Sequence, residues 1–451
     1  GSGTTSTIKL SMAVSDTQSG VNKIVWYYKL STDSTYKNAA DTYTATTANT
    51  TRTHTFTGLT QNKTYNAYAV VYDATGRTTQ SSTINVNTGT VPTASGATYT
   101  PTTWTSGKVT VTLPTKSGYT TVYTTNGTAP TKSSTKYTGA FAVSSNCKIN
   151  YLFTDGTNIG GVGTVNVTNI DTANPVINTA ITGSGTTSTI KLSMAVSDTQ
   201  SGVNKIVWYY KLSTDSTYKN AADTYTATTA NTTRTHTFTG LTQNKTYNAY
   251  AVVYDATGRT TQSSTINVNT GTVPTASGAT YTPTTWTSGK VTVTLPTKSG
   301  YTTVYTTNGT APTKSSTKYT GAFAVSSNCK INYLFTDGTN IGGVGTVNVT
   351  NIDTANPVIN TAITGSGTTS TIKLSMAVSD TQSGVNKIIW YYKLSTDSTY
   401  KNATDSYTAT TANTTRTHTF TGLTQNKTYN AYAVVYDATG RTTQSTTINV
   451  T

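Results

Sequence analysis

The stretch GSGTTSTIKLSMAVSDTQSGVNKI, residues 1–24, decides the architecture because it occurs three times in the chain. Its copies begin at Gly1, Gly183 and Gly365, so each starts 182 residues after the one before. That period is too long for a solenoid repeat of about 20–50 residues. It is long enough for two β-sandwich domains of roughly 90 residues each. The sequence therefore predicts two kinds of module that alternate along the chain.

Hydrophobic residues inside the repeat alternate with polar ones, which predicts strands with one buried face. The inward positions of the first two strands are Ile8, Leu10, Met12, Val14, Ile24, Trp26, Tyr28 and Leu30. Composition agrees with this pattern. Glu is absent, all 16 acidic residues are Asp, and only 10% of residues are charged. Helix surfaces are usually built from Glu, Lys, Ala and Leu, whereas Thr and Tyr suit a pleated sheet. We expect an all-β protein.

Five modules in tandem are expected, arranged as an extended rod. Type I modules should cover 1–89, 172–271 and 354–451, and type II modules 90–171 and 272–353. We call them the first to fifth modules in chain order. PVINTAIT, at 175–182 and 357–364, should form the first strand of the third and fifth modules. The first module is expected to lack that strand. At about 3.3 Å per residue and about ten residues per strand, five modules should reach on the order of 170 Å.

The segment GLTQNKTYNAYAVVYDATGR, residues 58–77, resembles the second half of fibronectin type III and bacterial immunoglobulin-like domains. Leu59 and Tyr65 stand where those families have a leucine and a corner tyrosine. The segment VYTTNGTAPTKSSTKYTGAFAV, in the second module, resembles the small β-sandwich appended to chitobiases and β-hexosaminidases. That resemblance implies an accessory module without catalysis. NIDTANPVI, at 169–177, resembles the junction between bacterial immunoglobulin-like repeats.

Few residues offer catalytic chemistry. The histidines, such as His54, fall one to each type I module, and the cysteines, such as Cys147, one to each type II module. We expect His54 to be a half-buried strand residue beside Phe56. Cys147 should be a buried free thiol, with a bridge between chains as the alternative. Most Asp residues should cap turns. The sequence predicts no enzyme and no cofactor.

Calcium at the module junction is the one exception that the residues suggest. Asn169, Asp171 and Asn174 supply oxygens, the ligand type that Ca²⁺ prefers. A linker turn without metal is the alternative.

A tyrosine stripe is the most distinctive predicted surface. Tyr27, Tyr68 and Tyr72 should point outward on neighbouring strands, beside Val25 and Val70. Such a stripe suits contact with another module or chain, or with a glycan. The alternative is a sheet surface that is rich in Tyr only because Tyr favours strands, without any binding role.

The net charge of +15 is spread evenly, with no dense basic cluster, so nucleic acid is not an expected partner. No stretch approaches 18 consecutive apolar residues, so we expect no membrane span in this segment. The favoured function is a structural stalk of a large secreted or cell-surface protein, presenting a terminal domain outside the cell. A carbohydrate-binding array, acting on cell-wall or host glycans, and a self-associating extracellular filament are the alternatives.

Overall fold

The computed structural model describes all 451 residues, and every regular element in it is a β-strand. Ten antiparallel sheets are present, two in each of five β-sandwiches along the chain. The expected all-β class is therefore confirmed. The chain contains no helix long and apolar enough to cross a membrane.

The first module packs a three-stranded sheet, in the order β1-β2-β5, on a sheet in which β4-β3-β6-β7 are neighbours and β8 also pairs with β6. Its strands are β1 (Ser2–Gly3), β2 (Ile8–Val14), β3 (Val21–Leu30), β4 (Lys37–Thr46), β5 (Thr50–Phe56), β6 (Thr64–Asp73), β7 (Thr78–Gln80) and β8 (Ile84–Asn87).

The second module is a smaller sandwich of a three-stranded sheet, β13-β10-β9, and a four-stranded sheet, β12-β11-β14-β15. Its strands are β9 (Thr98–Thr100), β10 (Val109–Thr112), β11 (Thr120–Thr124), β12 (Thr135–Lys136), β13 (Phe141–Val143), β14 (Cys147–Thr154) and β15 (Gly163–Val167).

The third module repeats the sheets of the first. Its strands are β16 (Val176–Gly185), β17 (Ile190–Ser197), β18 (Val203–Leu212), β19 (Lys219–Thr228), β20 (Thr232–Phe238), β21 (Thr246–Asp255), β22 (Thr260–Gln262) and β23 (Ile266–Asn269).

The last two modules follow the same alternation. The fourth contains β24 (Thr280–Thr282), β25 (Val291–Thr294), β26 (Thr302–Thr306), β27 (Thr317–Lys318), β28 (Phe323–Val325), β29 (Cys329–Thr336) and β30 (Gly345–Val349). The fifth contains β31 (Val358–Gly367), β32 (Thr371–Ser379), β33 (Val385–Leu394), β34 (Lys401–Thr410), β35 (Thr414–Thr421), β36 (Tyr429–Asp437), β37 (Thr442–Gln444) and β38 (Ile448–Val450).

Tyr65 performs the corner role that its sequence position suggested. It lies at the start of β6, is 5% exposed, and its hydroxyl accepts a hydrogen bond of 3.0 Å from the Thr60 amide. Tyr247 and Tyr429 make the same bond in the third and fifth modules. Because the hydroxyl ties the turn before β6 to the sheet, it also fixes which residues of β6 face inward. Ala67 and Ala69 are accordingly buried.

Each sandwich has a separate hydrophobic core, and no buried cluster joins two modules. The core of the third module has 15 residues and that of the first has 12. The three additional residues are Ile181, Met194 and Val253. Ile181 lies on β16, whereas in the first module the corresponding strand, β1, holds two residues. We expected the first module to lack this strand; the two residues of β1 pair with β2.

The chain exposes 22675 Å² of surface. A compact monomer of its mass, 47.5 kDa, would expose about 16,000 Å². The excess is what a row of small separate cores produces, because each module keeps most of its own surface. The tandem arrangement is therefore extended rather than collapsed.

Candidate functional site

The junction between the second and third modules is built around Asp171, which follows β15 and precedes β16. The Asp171 amide donates to the carbonyl of Thr105 at 2.8 Å. The main-chain carbonyl of Asp171 accepts a hydrogen bond from Arg259 Nε at 3.1 Å. Asp171 Oδ2 accepts from the Ser201 amide at 3.2 Å. Since Thr105 belongs to the second module and the other two partners to the third, Asp171 joins both modules.

Two further carboxylates meet Asp171 at this junction. Asp198 follows β17 and Asp255 ends β21, and one ligand atom from each of the three carboxylates lies within 4.8 Å of the others. Asp171 and Asp198 are 0% exposed and Asp255 is 1% exposed. We call these three residues the junction cluster.

Local turns fix the two carboxylates of the third module. Asp198 Oδ2 accepts from the Gly202 amide at 2.6 Å, which closes the turn DTQSG. Gly202 has φ +84°, and a Cβ there would lie 2.7 Å from the Thr228 amide nitrogen, so this turn requires glycine. Asp255 Oδ1 accepts from the amides of Thr257 and Arg259 at 2.8 and 2.9 Å. Each Asp thus uses one oxygen to hold its turn.

Four other oxygens at the junction have no partner. Asp198 Oδ1, Asp255 Oδ2, Ser201 Oγ and Asn169 Oδ1 are buried and make no hydrogen bond. Ser201 and Asn169 are 5% and 6% exposed. Buried polar atoms are normally paired, so four unpaired oxygens around three carboxylates form an unusual concentration.

The junction between the fourth and fifth modules repeats the arrangement. Asp353, Asp380 and Asp437 form an equivalent buried cluster. The same set of oxygens is unpaired there, namely Asp380 Oδ2, Asp437 Oδ2, Ser383 Oγ and Asn351 Oδ1. The Ser383 amide again donates to Asp353 Oδ2 at 3.2 Å.

The first module has the same turns, but its two carboxylates belong to no three-carboxylate cluster. Asp16 and Asp73 are both partly exposed there. The Ser19 amide and hydroxyl donate to Asp16 Oδ2 at 2.7 and 3.0 Å. Hydrogen bonds from the amides of Gly20 and Ser19 hold the pKa of Asp16 below its usual value. The Ser19 hydroxyl therefore donates to Asp16, whereas the equivalent hydroxyl of Ser201 makes no hydrogen bond.

The three sequence candidates for calcium have different positions. Asp171 lies in the junction cluster. Asn169 is buried nearby on the same segment, and its amide nitrogen donates to the carbonyls of Pro101 and Thr103 at 2.9 and 2.7 Å. Asn174 is exposed and is not part of the cluster. Sequence reasoning missed Asp198 and Asp255, because their turns already explain an Asp.

A second kind of junction joins the first module to the second. Asn158 Nδ2 donates to the carbonyls of Thr5 and Leu59 at 3.0 and 2.8 Å. Its Oδ1 accepts from the Gln61 amide at 3.0 Å. The Gln61 side chain in turn donates to the Ile159 carbonyl and accepts from the Val91 amide, both at 2.6 Å. Side-chain amides thus bind main-chain groups across the junction.

Asp155 supports this second junction. Its carboxylate accepts a hydrogen bond from the Thr5 hydroxyl of the first module. Burial acts to raise the pKa of Asp155, but hydrogen bonds from the Asn158 amide and the Thr5 hydroxyl outweigh it and hold the pKa below its usual value. The same contacts join the third and fourth modules, through Asp337 and Thr187. From the sequence we expected this Asp only to cap a turn.

The tyrosine stripe is half-buried rather than fully exposed. Tyr27 and Tyr68 stack with ring centroids 4.7 Å apart, and Tyr36 meets Tyr68 edge-on at 4.9 Å. Lys23 Nζ lies 4.2 Å from the ring centroid of Tyr72. Burial, with the neighbouring Tyr27 and Tyr36 as further causes, raises the pKa of Tyr68. These rings pack on one another and on lysine; their role in outside contacts stays a prediction.

His54 joins the two sheets of the first module at one edge. Its Nδ1 lies 2.9 Å from Asp41 Oδ2 on β4, and the Trp26 indole nitrogen donates to the same oxygen at 2.9 Å. The His54 and Phe56 rings are 4.6 Å apart, as their shared face predicted. Asp41 is thus a bridge between sheets and not the turn residue that the sequence suggested.

The cysteine of each type II module is free and half-buried. Cys147 packs against the core of the second module, and burial raises the pKa of its thiol. This placement agrees with a structural role for the side chain.

Comparison with known proteins identifies the type II modules. Residues 100–162 and 282–344 match the family described as the chitobiase/β-hexosaminidase C-terminal domain. No curated protein matches the chain. Among solved structures, the FN1–FN3 domains of chicken CNTN1 match with 13% identity and a TM-score of 0.21, covering 61% of this chain and 96% of that one.

The recognition of two alternating module types is confirmed. The family match gives the type of the second and fourth modules. The sheets and the corner tyrosine give the first, third and fifth their immunoglobulin- and fibronectin III-like fold.

Proposed function

We propose that this chain is a stalk: a row of structural spacer repeats in a large secreted or cell-surface protein, holding a terminal domain at a distance. It acts outside the cell and performs no catalysis itself. The observation that carries the proposal is that hydrogen bonds between neighbouring modules hold both kinds of module junction. A chain of sandwiches on loose linkers would bend freely and could not set a distance.

The first kind of junction is held by the side-chain amides of Asn158 and Gln61. Asn158 alone makes three hydrogen bonds to the preceding module, and Gln61 makes two more with Ile159 and Val91. The main-chain partners cannot change rotamer, so each bond restricts the angle between the modules.

The second kind of junction holds the linker against the third module by hydrogen bonds. Gln200 Oε1 accepts from the amides of Thr172 and Ala173 at 2.8 and 2.9 Å. Thr261 Oγ1 donates to the carbonyl of Pro175 at 2.5 Å. The proline also restricts its own φ and the conformation of the residue before it. The linker residues are therefore held against the third module and do not act as a free hinge.

Surface composition supports an extracellular position for the stalk. Charged residues make up 10% of the chain, and Thr, Ser and Asn replace the Glu and Lys of ordinary surfaces. Such a surface is hydroxyl-rich and suits a crowded, glycan-bearing environment.

Carbohydrate binding is the second candidate, because a specific feature favours it. Trp104 lies in a segment that matches the chitobiase-type family and is 39% exposed, and Trp286 repeats it at 38%. An exposed indole offers a flat face for a sugar ring, and repetition would add avidity. A glycan array probed with the full chain tests this role; the absence of any binding would remove it. Lateral self-association into filaments would instead appear as concentration-dependent assembly.

Negative-stain electron microscopy of the full chain tests the stalk. We expect straight rods of five beads with a narrow distribution of angles between neighbouring beads. Particles with random angles at every junction would contradict the proposal.

A further inference from the structure

We propose that the junction cluster of Asp171, Asp198 and Asp255 binds one Ca²⁺, and that Asp353, Asp380 and Asp437 bind another. The inference goes beyond the stalk role, because it concerns a metal site that would exist whatever the array carries.

Charge is the first argument. Three carboxylates with ligand atoms within 4.8 Å of one another repel strongly when removed from water. No Lys or Arg forms an ion pair with them; the ion pairs of the chain are the three His–Asp contacts. Arg259 comes close, but its Nε donates to the main-chain carbonyl of Asp171. Backbone amides donate to both oxygens of Asp171 and to one oxygen each of Asp198 and Asp255, which leaves one carboxylate oxygen of each of the last two without a partner.

Unpaired oxygens supply the second argument. Asp198 Oδ1 and Asp255 Oδ2 belong to side chains at least 99% buried and have no hydrogen-bond donor. Ser201 Oγ is also buried and unpaired, although its own amide donates to Asp171 Oδ2. In the first module, the equivalent Ser19 hydroxyl does pair with Asp16. The Ser201 hydroxyl at the junction therefore lacks the hydrogen bond that the equivalent Ser19 hydroxyl makes.

The donor set selects the kind of ion. The cluster contains oxygen ligands and neither imidazole nor thiolate, which favours a hard cation. Two oxygens bound to one Ca²⁺ at about 2.3–2.6 Å lie at most about 5 Å apart, and the observed limit of 4.8 Å satisfies this. Mg²⁺ usually keeps several waters. A site whose carboxylates are 0–1% exposed has little room for them, so Ca²⁺ fits better.

The three carboxylates come from both modules, so a bound ion would connect the two modules. Asp171 is on the segment leaving the second module, while Asp198 and Asp255 belong to the third. An ion held by all three favours the docked arrangement and rigidifies this junction. The first module offers Asp16 and Asp73 without a third carboxylate and should not bind.

Calorimetric titration of the metal-free full chain with CaCl₂ tests the proposal. We expect two ions per chain, matching the two clusters, with half-saturation below about 1 mM. Asp171→Asn should remove one ion, and Asp171→Asn with Asp353→Asn should remove both. The matched control, Asp16→Asn with Asp73→Asn, should keep both ions, because it changes the same turns outside a cluster. Mg²⁺ should bind at least about ten-fold more weakly.

Three results would overturn the proposal: no calcium uptake by the unaltered chain at about 10 mM, equal loss in the control variant, or Mg²⁺ binding as tightly as Ca²⁺. Thermal unfolding gives an independent readout on the unaltered chain, since an ion bound only by folded junctions raises the midpoint. An unchanged midpoint on adding saturating CaCl₂ would also overturn it.

Discussion

Asp171 Oδ2 accepts a hydrogen bond from the amide of Ser201 at 3.2 Å, across the junction between the second and third modules. In the first module the equivalent amide, that of Ser19, donates to Asp16 at 2.7 Å. The same turn sequence therefore directs its serine amide to its own Asp in the first module and to the Asp of the neighbouring module in the third. Module docking in this chain uses turns that already exist in the isolated fold.

Gln61 offers a direct test of the junction between the first and second modules. Gln61→Ala removes hydrogen bonds to the Val91 amide and the Ile159 carbonyl. A lost buried hydrogen bond costs about 1–3 kcal/mol, so we expect elastase to cleave after the buried Ala94, three residues beyond Val91, at least about five times faster.

Cleavage after Ala276, in the unaltered second copy of this junction, provides a control within the same molecule. Gln80→Ala, at an exposed glutamine of the first module, is the matched variant. Equal rates of cleavage after Ala94 in the Gln61 and Gln80 variants would show that the Gln61 contacts do not hold the junction.

The lowered pKa of Asp155 predicts how this junction responds to acid. A carboxyl whose pKa is lower in the docked state stabilises docking at pH values above its free pKa, about 3.9. That contribution falls as the pH drops through the lower, docked value. We expect Asp155→Asn with Asp337→Asn to lower the thermal midpoint at pH 7, and the difference from the unaltered chain to shrink below about pH 4.

Calorimetry between pH 2.5 and 7 measures that difference. Asp16 and Asp73 also titrate with lowered pKa values, but they are present in both proteins and cancel. A difference that stays constant over the whole range would contradict the role of Asp155.

The contacts of Asp41 predict how much unfolding free energy a type I module loses when the link between its two sheets is removed. Changing Asp41, Asp223 and Asp405 to Ala leaves the Trp26 indole N–H and its two equivalents without their acceptor. We expect each type I module to lose about 1–3 kcal/mol of unfolding free energy, measured by denaturant titration with tryptophan fluorescence.

The exposed residues Asp33, Asp215 and Asp397 provide the matched triple alanine control, since their side chains make no hydrogen bond. If that control loses as much stability as the Asp41 set, the bridge between sheets contributes nothing.

Local signals were enough to predict the fold. Alternation placed Ile8, Leu10 and Trp26 in the core, and the corner position of Tyr65 set the phase of β6. The junctions were harder, because their partners are distant in sequence. Asp171 was selected from its linker, but Asp198 and Asp255 lie 27 and 84 residues further on, in turns that explain them locally. Asn158 and Gln61 carry no sequence signal at all, since their partners are main-chain groups.

Small-angle scattering of the full chain in CaCl₂ tests the central claim, that five sandwiches form a stiff stalk, most directly. The account predicts a maximum dimension on the order of 170 Å, from about 35 Å per module, and a profile typical of a rod. A maximum dimension below roughly 100 Å on the same strand-length scale would show that the modules fold back on one another, and would contradict the stalk.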